Sequence, residues 1–141
     1  MDQRISLVTL GVADVQESAA FYGRLGWRRS EQSQAEIVFF DAGGIVLGLF
    51  GRAALADDAD VPPQGSGFRA VALAQNLPTR DAVDAALADA VKAGARVVRR
   101  AEEVFWGGYS GYFEDPDGHL WEVAFNPHWS LDETGRIVLP G

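Results

Sequence analysis

Glu122 is the residue of this chain best suited to chemistry, a carboxylate inside the otherwise mostly apolar end of DPDGHLWEVA, residues 115–124. The Asp-Pro-Asp-Gly opening reads as a tight turn feeding a strand. A carboxylate held among apolar walls is disfavoured in its charged form unless a cation or a hydrogen-bond donor meets it. Three roles are therefore open to Glu122. It can pair with an Arg or Tyr of its own chain, with Arg52 and Arg69 as candidates. It can contact the amine or hydroxyl of a ligand, or it can act as a general acid or base.

The second concentration of chemistry is FWGGYSGYF, residues 105–113. Its glycines permit close backbone approach, and Trp106, Tyr109 and Tyr112 offer flat surfaces on which a planar or cationic ligand can stack. The same rings also suit plain packing of a strand connection against the core. The two histidines add little: His119 alternates onto the face of Trp121 rather than that of Glu122, and His128 falls in the tail. No catalytic residue is assigned.

These residues need elements to position them. Residues 5–12 alternate as a strand, Asp14 offers an N-cap with Glu17 three residues on, and Val15, Ala19, Tyr22 and Leu25 recur at helical spacing up to Gly26. Strands are expected at 27–30, 36–41 and 45–50, the last two joined by an Ala-Gly-Gly turn. Residues 51–67, rich in Asp, Pro and Gly, read as a linker. The order then repeats: a strand over 68–74, a helix opened by Pro78-Thr79 and closed by Gly94, and strands at 95–100, 109–115 and 119–125. The helix carries a stripe of Ala82, Val83, Ala86, Leu87, Ala90 and Val91. DAGGIVLGLF, residues 41–50, matches DPDGHLWEVA in outline, with Gly48 where the later copy has Glu122.

The expected architecture is α+β: two βαβββ modules, residues 4–50 and 68–127, forming a curved mixed sheet around a cleft, with a tail over 128–141. Such modules cover one sheet face with a helix and leave the other for a ligand. The whole chain of 141 residues is read as a single domain. The absence of cysteine removes disulfides and thiolate metal sites. A net charge of −8 opposes nucleic-acid binding. That charge fits plain solubility or a field that draws in a cation. No run reaches the length of a membrane span and no secretory leader opens the chain, so a cytoplasmic protein is expected.

The repeated module, FYGRLGW at the end of the first helix and DPDGHLWEV near the C-terminus resemble the vicinal oxygen chelate superfamily, which holds glyoxalases, extradiol dioxygenases and bleomycin resistance proteins. The resemblance implies the glyoxalase/bleomycin resistance fold and a homodimer. It also implies a divalent metal held by the first and last strand of each module. The corresponding positions here are Leu7, Gly48, Ala70 and Glu122, of which only Glu122 carries a donor. One carboxylate does not make a metal site, which needs about three protein ligands. No metal and no cofactor are expected. Alternation sets Leu7, Thr9, Gly11, Val46, Gly48 and Phe50 toward the cleft, followed by Ala70, Ala72, Ala74, Leu120, Glu122 and Ala124. The small residues in that row leave room for a ligand. The expected function is metal-independent small-molecule binding, with Glu122 as anchor and Trp106, Tyr109, Tyr112, Phe50, Thr9, Leu7, Gly48 and Ala70 around it. The alternative is a metal-dependent lyase, isomerase or dioxygenase with an atypical site.

Overall fold

A computed structural model describes all residues, 1–141. The chain divides into two compact units, Met1–Arg69 and Ala70–Gly141. Each is an α+β layer in which a helix covers one sheet face.

In the first unit, β1 (Leu7–Val12) lies parallel to β3 (Val46–Gly51), which pairs antiparallel with β2 (Ile37–Asp41) in the order β1-β3-β2. Helix α1 (Val15–Arg24) begins where expected: Asp14 Oδ1 accepts from the backbone N–H groups of Gln16 and Glu17 at 3.0 Å each. These bonds satisfy donors that a helix N-terminus leaves free. Gly26, at φ +96°, supplies the left-handed turn that ends it. Leu10, Val12, Val38, Phe40, Leu47 and Leu49 bury one sheet face together with Val15, Phe21 and Tyr22 of α1. Trp27 and Phe40 rings pack edge to face beside Tyr22. The strand expected at 27–30 is reduced to a single bridge, Arg29 to Phe40.

The expected linker is a further difference. Residues Arg52–Asp58 form a helix, α2, because Arg-Ala-Ala-Leu-Ala favours helix before the Asp and Pro residues interrupt it. It packs close to Gly11, where a Cβ would stand 3.3 Å from the Arg52 Cα and 3.4 Å from a Leu55 methyl. Gly11 therefore marks a close approach of helix to strand, and the room expected there is filled. Gly48 is likewise covered, its nearest neighbours being the Thr9 hydroxyl at 3.4 Å and the Phe39 ring at 3.5 Å from an added Cβ. Arg52 donates to the carbonyls of Pro63 and Gly65, which ties the following segment back to α2.

In the second unit, β4 (Ala72–Asn76) is parallel to β7 (Leu120–Phe125), followed by β6 (Tyr109–Glu114) and β5 (Arg96–Glu103) in the order β4-β7-β6-β5. Helix α3 (Arg80–Ala93) is capped by the Thr79 hydroxyl at its start and by left-handed Gly94 at its end. It buries Val83, Leu87, Ala90 and Ala93 on the sheet, whereas Val91 is exposed. Phe113 and Trp121 stack with ring planes 4° apart beneath it. Gly111 sits directly under Leu87, whose methyl would lie 2.7 Å from an added Cβ. Asp115 does the turn-forming work assigned to DPDG: its buried carboxylate accepts from the N–H groups of Asp117 and His119. The tail folds into a short hairpin, β8 (Ser130–Leu131) with β9 (Ile137–Val138). No helix of the chain is long and apolar enough to cross a membrane.

Candidate functional site

The strand β7 fixes the orientation of Glu122. Trp121 and Val123 turn toward α3 and are buried, so Leu120, Glu122 and Ala124 occupy the opposite, helix-free face. Directly across β7, Glu122 faces Ala74 of β4 on one side and Tyr112 of β6 on the other. The Tyr112 hydroxyl donates to the Glu122 carboxylate, which raises the phenol's affinity for its proton; burial and the Glu122 charge push the same way, and Arg99 opposes them. Arg99 of β5 lies across from Tyr112 with its guanidinium carbon 5.3 Å from the ring centroid. It donates to Glu102 and to the buried Ser110 hydroxyl, at 2.8 Å each. Three neighbouring strands thus carry a file of Arg99, Tyr112 and Glu122. Arg52, one of the two arginines considered as the internal partner of Glu122, is engaged elsewhere, and the donor is Tyr112.

At the end of this file the helix-free face opens into a pocket of about 430 Å³. Its floor is Glu122, Ala124 and Asn76, the last opposite Ala124 across the β4–β7 ladder. Its walls are Trp106, Asn126, His128 and Trp129. Trp106 comes from the tight connection between β5 and β6, closed by backbone bonds between Val104 and both Gly107 and Gly108. The indole lies against Gly108, where an added Cβ would stand 1.8 Å from a ring carbon. Asn126 accepts the His128 N–H through its side chain and that of Trp129 through its carbonyl, turning the chain back over the sheet. The His128 ring reaches the same connection, its Nε2 lying 3.4 Å from a Cβ built on Gly107.

The expected site residues separate accordingly. Glu122 and Trp106 meet in this pocket, and Tyr112 supports it from the neighbouring strand. Tyr109 does not belong with them: its hydroxyl donates at 2.6 Å to Asp84 of α3, which places the ring on the helix-covered face. That bond, followed by burial, raises the phenol's proton affinity. Ala70 also departs from expectation. It precedes β4, is exposed and has φ +58°, so the register that sets Leu7 against Val46 sets Ala72, not Ala70, against Leu120. In the first unit Thr9 faces Gly48 and Gly11 faces Phe50, on the face opposite α1. Asn76, Asn126, His128 and Trp129 were missed as site residues. Continuing the period-two row from Ala74 to Asn76 and from Ala124 to Asn126 signals the first two, whereas the last two reach the site only through the turn at Asn126.

The family model of the Glyoxalase/Bleomycin resistance protein/Dioxygenase superfamily matches residues 4–123. The chain belongs to this superfamily. Among solved structures, it is similar to a glyoxalase-related enzyme from Fulvimarina pelagi, with 35% identity over 99% of both chains and a TM-score of 0.88. It is also similar to a glyoxalase/bleomycin resistance protein/dioxygenase family enzyme from Burkholderia phytofirmans PsJN, at 22% identity over 85% of this chain and 96% of that one, TM-score 0.77. Lactoylglutathione lyase from Agrobacterium tumefaciens shares the fold at 23% identity, with 89% and 96% coverage and a TM-score of 0.68. No functionally curated protein matches the chain.

Members of this superfamily imply a divalent metal, and the residues at hand do not fit one. The register places Leu7, Thr9 and Gly48 in one unit and Ala72, Ala74 and Glu122 in the other. A hydroxyl and one carboxylate are the only side-chain donors among them. No group of three or more His, Cys, Asp or Glu side chains is arranged to hold a metal ion, where such sites need about three protein ligands.

Proposed function

We propose that this superfamily member is a metal-independent small-molecule-binding protein, with the ligand held in the pocket of the second unit and anchored by Glu122. The observation that carries this reading is the placement of one carboxylate on the floor of a pocket walled by Trp106 and Trp129. The volume of about 430 Å³ falls within the range of small-molecule sites. Tyr112 stands across the ladder as a donor beside the carboxylate, and such a neighbour limits the ordering that binding would cost. The donor-poor strand positions support binding without a metal.

Elemental analysis joined to a thermal-shift screen tests the reading. The purified protein should carry no stoichiometric divalent metal. Small aromatic ligands should raise its melting temperature equally with and without chelator, since a ligand at about 100 times its Kd adds about 2.7 kcal/mol of stability. A tightly bound metal that is lost in Glu122→Ala would contradict the proposal. It would favour the second reading, a lyase, isomerase or dioxygenase, which the naming of the Fulvimarina pelagi relative as an enzyme supports.

A further inference from the structure

We infer that the ligand of this pocket is an organic cation, a protonated amine carried on a flat apolar body. The inference rests on the binding reading above and adds the charge and shape of the ligand. The pocket contains no Lys or Arg, and Glu122 and His128 are its only ionisable lining groups. None of the chain's ion pairs includes Glu122. The cation nearest along the strand register is Arg99, which is paired with Glu102 and donates to Ser110 as well. Tyr112, directly across the ladder, gives Glu122 a neutral donor and so brings no opposing charge to it.

The walls favour the same partner. An indole face is the most attractive aromatic surface for a cation, and Trp106 and Trp129 supply two indoles to the one pocket. A carboxylate at the floor with indoles at the wall recognises an ammonium group and a planar body together. An anion would meet Glu122 without a compensating positive side chain. The net charge of −8 adds a long-range field of the same preference.

Three ligands of one shape test the inference on the full chain at about pH 8, where an ordinary imidazole is neutral. These are biphenyl-4-ylmethylammonium, biphenyl-4-ylmethanol and biphenyl-4-carboxylate, titrated calorimetrically. The ammonium should bind about tenfold or more tightly than the alcohol, and the carboxylate more weakly than either. Added salt should weaken the ammonium and leave the alcohol unchanged. Glu122→Gln should abolish the preference while retaining the alcohol's affinity. If the alcohol or carboxylate binds as tightly as the ammonium, and Trp106→Ala still weakens it, the cation inference falls and the pocket reading stands. If none of the three binds, both fall.

Discussion

Substituting Gly108 by alanine should empty one wall of the pocket while sparing the fold. A Cβ at that position would stand 1.8, 2.1 and 2.6 Å from three carbons of the Trp106 ring. Carbon atoms pack at about 3.5–4.0 Å, so the indole must retreat by about 2 Å or swing away. The backbone itself accepts alanine, because Gly108, unlike Gly107 at φ +89°, is not left-handed. Replacing glycine at such a position stabilises by about 0.4–1 kcal/mol through the unfolded chain, and this offsets the packing lost by a half-buried ring. Net stability should therefore change by less than about 1 kcal/mol. Binding should respond more strongly. An indole wall over a desolvated cation contributes about 1–2 kcal/mol, so affinity for biphenyl-4-ylmethylammonium should fall about 5- to 30-fold. Calorimetric titration gives the affinity, urea denaturation gives the stability, and the Trp106 indole resonance reports whether the ring has moved. A displaced ring with unchanged affinity would refute the assignment of Trp106 as a wall.

Two more consequences follow from the second unit. Gly111→Ala should destabilise by about 1–3 kcal/mol in urea denaturation, because its Cβ meets the Ala101 backbone nitrogen at 2.9 Å as well as Leu87; a loss below about 0.5 kcal/mol would show that α3 is not seated as described. The Tyr112 phenol is held above its ordinary value chiefly by its bond to Glu122. Since the folded-state value is the raised one, the bond's contribution is complete below the ordinary tyrosine range and is lost as pH climbs through the raised value. Glu122→Gln should lower the Tyr112 titration midpoint seen in the tyrosine ring-carbon NMR signal, and an unmoved midpoint would contradict the pairing.

Much of the fold was legible because its local signals agree. Asp14 before an apolar stripe, Gly26 and Gly94 at the left-handed stops, and the Asp-initiated turns at 41 and 115 each dictate their geometry with little help from the rest of the chain. Helix α2 was hidden because seven residues beside Asp, Pro and Gly carry too short a pattern, and its seat on Gly11 is a tertiary fact. The late start of β4 depends on the left-handed Ala70, which alternation cannot reveal. At the site, Glu122 was readable as a lone carboxylate in an apolar row. Tyr109 and Tyr112 were grouped by type, yet three residues apart on one strand they face opposite sides, toward Asp84 and toward Glu122. His128 and Trp129 lie beyond the strand's period, and only the turn at Asn126 brings them back.

The four tryptophans provide the most direct measurement of ligand binding in the second-unit pocket. Trp106 and Trp129 line the pocket, whereas Trp27 packs against Tyr22 and Phe40, and Trp121 stacks on Phe113 beneath α3. In nitrogen-15 spectra of the chelator-treated protein, saturating biphenyl-4-ylmethylammonium should shift the indole signals of Trp106 and Trp129 and leave those of Trp27 and Trp121 in place. Shifts confined to Trp27 and Trp121, or shifts that appear only after a divalent metal is added, would contradict a metal-independent site anchored by Glu122.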